Sequence, residues 1–386
     1  MKRKTWMISA LMYAMVFMAC FGVLHVLKTL MEPSGPVSVE SRESGGPEGT
    51  REAKTGEEWE EPAGPALATD SQAQEPQDEV IRQEGYKEWK KKFPGMWTPP
   101  QAPEEPYIPP RLILATDLHY QSALAGDGGE AFRLFVERSD GKVIQYLPEL
   151  LEAFLDEVIE ERPSALVLSG DITMNGERLN HEELAARLKR VQDAGIQVLV
   201  IPGNHDINNH DASVYYGARK EPAPYIDGPE FHEIYHEYGY DQALSRDDSS
   251  LSYVYALDDR NWLLMLDSCQ YEPDNKVEGR LKDSTMTWAD EQLARAKEEG
   301  VFVIPIAHHN LLAQSRMYTT QCAMDNNKEV ISLLQKYELP LFFSGHLHVQ
   351  RIRKHKSEPG VPEGNYGIQE IVTDALSIPP CQYGEV

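Results

Sequence analysis

Beyond about residue 109 the sequence predicts a layered α/β domain, and three observations carry that expectation. Apolar runs of strand length recur, segments with apolar residues at helical spacing separate several of them, and most of the runs end in Asp, Asn or His. Such alternation belongs to sheets covered by helices, with polar residues gathered where the strands end.

Arg111-Leu112-Ile113-Leu114-Ala115-Thr116 reads as a buried strand and runs into Asp117-Leu118-His119. On a strand, residues two apart point the same way, so Asp117 and His119 can converge on one ion. Residues 143–161 have helical spacing, and Ala165-Leu166-Val167-Leu168-Ser169 then forms a strand ending in Gly170-Asp171. A helix over 182–194 leads into Val198-Leu199-Val200-Ile201 and Pro202-Gly203-Asn204-His205-Asp206. After a long irregular stretch, 252–256 and 262–267 read as paired strands. A helix over 287–299 precedes a strand over 301–306, which ends in Ala307-His308-His309. Leu341-Phe342-Phe343 closes the series with Ser344-Gly345-His346-Leu347-His348.

A D-x-H or H-x-H pair is common by chance. Gly203-Asn204-His205-Asp206 is more specific, because three ligand-type side chains follow a glycine that permits tight backbone geometry. Five strand ends offering such groups in one chain carry the argument.

The 386 residues exceed one ordinary domain, yet the first 110 or so hold little that could build a core. One domain of fewer than about 300 residues is expected, large enough to bury a substantial interior. The formal net charge of −25 repels nucleic acid and anionic lipid headgroups, which excludes duplex DNA or RNA as a partner. Of the four cysteines, Cys20, Cys269, Cys322 and Cys381, none forms a CxxC pair, so no thiolate zinc site is expected.

Lys2, Arg3 and Lys4 precede an apolar run from Trp6 to Leu27, broken by Ser9 and His25. The run reaches the roughly 20 residues that a bilayer-spanning helix needs, and the positive flank should stay cytoplasmic. Phe17-Met18-Ala19-Cys20 partly matches a bacterial lipobox; Ala19 fits it, while Phe17, Met18 and the continuing apolar run fit an uncleaved anchor better. Residues 1–31 are thus expected to be a signal anchor or lipoprotein-like signal. Residues 32–108, rich in Glu, Pro, Gly, Ser and Ala, are expected to form a solvated acidic tether. The domain proper would span 109–386, on the extracytoplasmic side of a cell membrane.

The order Asp117-x-His119, Gly170-Asp171, Gly203-Asn204-His205-Asp206, His308, Gly345-His346-x-His348 resembles the calcineurin-like metallophosphoesterase superfamily. Residues 169–177 (SGDITMNGE) and 374–379 (DALSIP) resemble its bacterial membrane-anchored branch, some members of which hydrolyse cyclic nucleotides. The resemblance implies a two-sheet β-sandwich flanked by helices rather than a single doubly wound sheet. Members of that branch often continue into a helical C-terminal region, whereas this chain ends at Val386 soon after an expected strand, so the expectation is either a C-terminally truncated domain or one without a piece that shapes the substrate cleft.

By the same resemblance, Asp117, His119 and His348 hold one metal ion, Asn204, His308 and His346 a second, and Asp171 bridges the two. Mixed nitrogen and oxygen donors suit manganese, iron or zinc better than calcium. A hydroxide bridging the ions would attack the phosphorus of a small phosphate ester, a cyclic nucleotide foremost, with His205 protonating the leaving group and Asp206 orienting its ring. A phosphomonoesterase or nucleotidase would use the same centre. A non-catalytic binding module would be marked by loss of Asp171, Asn204 or His205, and all three are present. His309 reads equally as a supporting group or as packing beside His308. For Asn175, His181 and His210 a place in the cleft competes with surface or turn roles, and Tyr120 reads as a packed aromatic.

Overall fold

The computed structural model describes residues 107–314, 321–355 and 367–386. In the first sheet the order is β13 (Gly384–Glu385), β1 (Leu112–Ala115), β2 (Ala165–Ser169), β3 (Gln197–Ile201). The last three are parallel, with Leu112 opposite Ala165 and Ala165 opposite Gln197, while β13 runs antiparallel to β1. Helices α1 (Glu130–Glu137) and α2 (Leu147–Glu161) lead from β1 to β2, and α3 (Arg178–Asp193) leads from β2 to β3. Right-handed crossovers that step the same way across a sheet place their helices on one face. Leu151, Leu155 and Val158 of α2 and Leu184, Leu188 and Val191 of α3 accordingly lie in one core with β1–β3. The other face is left for a second sheet.

That sheet has the order β11 (Arg351–Lys354), β12 (Gln369–Val372), β10 (Leu341–Ser344), β9 (Phe302–Ala307), β8 (Asn261–Leu266), β7 (Tyr253–Ala256), β6 (Ser245–Arg246). Strands β8, β9, β10 and β12 are parallel, and the outer strands pair antiparallel. The crossovers here are α5 (Asp283–Glu299) and α6 (Asn327–Lys336). Strand β8 shows how the layers meet. Leu263 and Met265 join the core shared with the first sheet, whereas Trp262, Leu264 and Leu266 pack with Leu293 of α5 and Leu334 of α6. Residues alternate across a strand, so one apolar run serves both faces. The chain adopts the two-sheet sandwich flanked by helices, not the single wound sheet that alternation alone suggests.

Helix bounds depart from the expected ones for identifiable reasons. The 143–161 segment opens with a separate 3-10 turn, Ile144–Tyr146, and the α-helix starts at Leu147 with Pro148 in its first turn, where a missing N–H costs nothing. Helix α3 starts at Arg178, not at 182, because its first turn buries Asn180 and His181, polar residues that an apolar pattern does not register. The stretch read as irregular holds a hairpin, β4 (Ser213–Tyr216) and β5 (Arg219–Pro222), and α4 (Gly228–Tyr235), which carries a capping box between Asp227 and Glu230.

Cys269, Cys322 and Cys381 are unpaired. Among the described residues no helix is long and apolar enough to cross a membrane. The expected anchor over 1–31 and the tether up to residue 106 lie outside the described residues.

Leu263 is fully buried between the sheets and Leu244 is 40 % exposed. Replacing Leu263 by Ala should cost about 2–5 kcal/mol in chemical denaturation of the metal-stripped chain. Leu244→Ala should change stability by less than about 0.5 kcal/mol. Equal midpoints for the two variants would contradict a core shared by both sheets.

Candidate metal centre

Parallel strands of both sheets bring their C-terminal ends together. Asp117 and His119 follow β1, Asp171 follows β2, Asn204 to Asp206 follow β3, His308 follows β9, and His346 and His348 follow β10. One potential ligand atom from each of Asp117, His119, Asp171 and His348 lies within 4.8 Å of the others, and the same holds for His308, His309 and His346.

The convergence of Asp117 and His119 does not come from strand alternation. Both lie in the loop beyond β1 with left-handed backbone, φ 53° and 44°, and Asp171, His346 and His348 share that conformation at 47°, 69° and 53°. Non-glycine residues rarely adopt it, and each instance costs on the order of 1–3 kcal/mol. Clustered strain of this kind marks functional sites. The loops are zipped in place: the Asp117 amide donates to the Gly170 carbonyl at 3.0 Å and the His119 amide to the Asp171 carbonyl at 2.9 Å. Gly203 permits the closest approach, since a Cβ there would stand 2.1 Å from the Asp171 nitrogen.

Each carboxylate has one oxygen tied and one turned inward. Asp117 Oδ2 accepts from the His346 amide at 2.9 Å and from Thr116 Oγ1 at 2.9 Å, leaving Oδ1 3.1 Å from His348 Nε2. Asp171 Oδ1 accepts from the His205 amide at 2.7 Å, leaving Oδ2 3.3 Å from His308 Nε2 and 3.8 Å from His119 Nε2. Burial works against both charges, but the surrounding imidazoles outweigh it and hold both groups below the usual carboxylate range.

The imidazoles are arranged in the same way. His308 Nδ1 donates to the Ser169 carbonyl at 3.0 Å, and His346 Nε2 donates to the Gln321 carbonyl at 2.7 Å. Their remaining nitrogens face each other at 3.2 Å, and Asn204 Oδ1 lies 3.2 Å from His308 Nε2. Lone pairs aimed at one another repel unless a proton or a metal ion stands between them, and so many donors turned on one space fit a divalent ion. Burial keeps His119 neutral and lowers His346 to about 4, as ligands require. At His308 burial is outweighed by Asp171 and Asp117, which draw its pKa up to about 9: the pocket favours positive charge there.

His205 stands edge-on to His119 with ring centroids 4.8 Å apart. Its Nδ1 donates to the Met174 carbonyl at 2.8 Å and to Asn175 Oδ1 at 3.0 Å. Asp206 does not orient this ring, contrary to the expectation. Its carboxylate accepts from the amides of Ile172, Thr173 and Gly203 and from Thr173 Oγ1, at 2.7–3.2 Å, and so braces the β2 loop against the β3 loop. Burial and the Asp171 charge push its pKa up to about 7 against those bonds.

Residues 110–350 match the family model described as calcineurin-like phosphoesterase. The chain belongs to that family. It is therefore a metallophosphoesterase, an enzyme that hydrolyses phosphate esters with divalent metal ions, and the Asp and His cluster is the candidate site for them. Among relatives, an uncharacterized metallophosphoesterase of Bacillus subtilis is 30 % identical over 28 % of this chain and 38 % of its own length. A probable cyclic nucleotide phosphodiesterase of Psychrobacter arcticus is 25 % identical over 64 % of this chain and 76 % of its own. A glycerophosphodiester phosphodiesterase of Enterobacter lignolyticus is 27 % identical over 49 % of this chain and 58 % of its own. The crystal structure of a dimetal phosphatase from Danio rerio shares the fold, with a TM-score of 0.50 and 15 % identity over 72 % of this chain and 92 % of that one.

The remaining histidines of this phosphoesterase divide clearly. Both nitrogens of His309 are engaged, with Ser268 Oγ at 2.8 Å and the Val277 carbonyl at 3.0 Å, so it packs against the rings of His308 and His346 as support. His210 is exposed against the Tyr225 ring. Tyr120 is a packed aromatic whose hydroxyl donates to Glu183. Asn175 is the group the sequence undervalued, because nothing in its neighbours announces a contact with a histidine 30 positions away.

His181 is buried, with Nε2 2.9 Å from the Asp206 carbonyl and 3.3 Å from Thr173 Oγ1, and Nδ1 3.0 Å from the Tyr235 hydroxyl. Burial lowers its pKa to about 3. The unfolded chain binds this proton near pH 6.5 and the folded chain does not, so stability is full above pH 6.5 and is lost as pH falls toward 3. Stability-versus-pH curves of wild type and His181→Gln should therefore diverge over that window, the variant's acid limb being shallower by up to about 1.4 kcal/mol per pH unit. Parallel limbs would show that His181 titrates alike in both states.

Proposed function

We propose that this chain is a phosphodiesterase for a small extracytoplasmic ester, a cyclic nucleotide first among them, held at a membrane by its N-terminus. The observation that carries the reading is the turning of Asp117 Oδ1 and Asp171 Oδ2 into a set of imidazole nitrogens, with the outer atoms of both carboxylates and of His308 and His346 tied down. In this reading Asp117, His119 and His348 hold one ion and Asn204, His308 and His346 the other, with Asp171 between them. Such a pair supplies positive charge at the phosphoryl group and lowers the pKa of the attacking water. Nitrogen and oxygen donors without thiolate support manganese, iron or zinc.

His205 acts as the acid. Because Nδ1–H is already given to Met174 and Asn175, the proton available for transfer sits on Nε2, which makes no hydrogen bond to the described residues. Nε2–H would donate to the leaving oxygen, and Asn175 fixes the ring plane that aims it. Two of the three relatives above are named as phosphodiesterases, which supports a diester over a monoester. Lys2, Arg3 and Lys4 before the apolar run support an extracytoplasmic domain.

The test is a panel of cyclic nucleotides, other diesters and monoesters, run after chelation and after adding back manganese, iron or zinc. Faster turnover of monoesters than of any diester would overturn the diester assignment, and activity that survives chelation would remove the metal site. His205→Ala should keep its metal content and lose about 10²–10⁴-fold in turnover on poor leaving groups, less on nitrophenolate. Asn175→Ala should show the same pattern at smaller size. A uniform loss on every leaving group would refute the acid role. Protease added to intact cells should digest the domain; full protection would place it in the cytoplasm.

A further inference from the structure

Glu370 lies on β12, is fully buried, and has no cationic partner among the described residues. Four donors surround its carboxylate. Oε1 accepts from the Leu311 amide at 2.6 Å and Ser344 Oγ at 2.8 Å, and Oε2 from the Leu312 amide at 2.8 Å and Gln314 Nε2 at 2.6 Å. Burial pushes its pKa up to about 7 against these bonds, so an apolar side chain would fill the place at lower cost. The residues it joins explain why a carboxylate stands there. Leu311 and Leu312 follow His308 by three and four residues, and Ser344 precedes His346 by two. Asn310 extends the connection, its Nδ2 donating to Ser344 Oγ at 2.9 Å and to the Gly345 carbonyl at 3.0 Å, while the Gly345 amide donates to the His308 carbonyl at 3.0 Å.

We infer that Glu370 is a positioning residue for the metal ion held by Asn204, His308 and His346: it locks the loop after β9 to the end of β10 and so sets the spacing of the two facing histidines. This rests on the ligand assignment proposed above. A carboxylate suits the task because each oxygen can receive two donors, one from a main-chain amide and one from a side chain. Glutamine cannot replace it, since its amide nitrogen would meet a backbone N–H on whichever side it lies. An error of a few tenths of an ångström between the two loops falls first on the ion that takes ligands from both; the other ion takes none from the loop after β9 and is touched only through His348 and the His346 amide on the β10 side.

The test measures manganese binding to the purified, metal-stripped full chain by equilibrium dialysis with elemental analysis, alongside the melting temperature of the metal-free form. Wild type and His308→Ala come first: two ions for the former and one tight ion for the latter uphold the ligand assignment, and any other result overturns that assignment before Glu370 is considered. Glu370→Gln should then bind one ion with wild-type affinity and the other about tenfold or more weakly, the scale of change found when groups supporting metal ligands are altered. Ser344→Ala, which removes one of the four bonds and should fold in any case, should weaken the same ion by less. Equal weakening of both ions, or a lower melting temperature with both affinities unchanged, in Glu370→Gln and Ser344→Ala alike, would overturn the inference.

Discussion

Mutual repulsion among crowded donors is the constraint around which this domain is organised. Two carboxylates and several imidazoles lie within a few ångströms of one another, with donor atoms as close as 3.1 Å. Left free, such groups would swing toward water. They stay because the outer atom of nearly every one is engaged: Asp117 Oδ2 by the His346 amide, Asp171 Oδ1 by the His205 amide, His308 Nδ1 by Ser169, His346 Nε2 by Gln321. These bonds fix orientation and tautomer together, leaving each inner atom as a lone-pair donor. His119 and His348 differ: the buried Nδ1 of His119 has no partner, no hydrogen bond to the described residues ties Nδ1 of His348, and both residues are held by left-handed backbone.

That tethering asks for a frame that does not yield, which explains the two sheets. A single sheet lines its strand ends along one row; two sheets face to face bring rows together from opposite sides. Parallel strands β1 to β3 supply Asp117, His119, Asp171 and Asn204, and parallel β9 and β10 supply His308, His346 and His348. Since the crossovers in both sheets put helices outside, the inner faces are free to share a core, with Leu263 and Met265 of β8 packed against the β1–β3 layer. The backbone strain at five of the inward-turned residues is sustained by that core and by the loop-to-loop hydrogen bonds.

Much of this was legible in the sequence, because a buried parallel strand must be apolar on both faces and a ligand must be polar, and the first candidate ligand falls within three residues of each strand end. The donors Asp117, His119, Asp171, Asn204, His308, His346 and His348 meet where that reading expects. What the sequence did not disclose were direction and partnership. Asp117-x-His119 looks like strand alternation but converges through two left-handed residues. Asp206 follows His205 directly, and adjacency suggests a pair, yet its carboxylate turns to the amides of Ile172, Thr173 and Gly203. Asn175, on a different loop, takes the ring instead. Such choices depend on which loop amides lack a partner, and that is known only when both loops are in place.

The electrostatic consequence runs through Asp206 and Glu370 together. Of Asp117, Asp171, Asp206 and Glu370, all buried in or beside the centre, only Asp117 and Asp171 turn an oxygen toward the donors. Asp206 and Glu370 each give both oxygens to amides, hydroxyls or a side-chain amide, four bonds apiece. Two divalent ions would bring four positive charges against the two negative charges that face them, leaving an excess to draw in a phosphate ester and polarise it. If Asp206 and Glu370 faced the ions as well, that excess would be cancelled and the site would bind metal at the expense of substrate. Neutral Asn204, supplying an oxygen without a charge, follows the same logic. Under the proposed ligand assignment the fold uses carboxylates in two ways: a pair to hold ions, and a pair, turned away, to hold the loops that carry the other ligands.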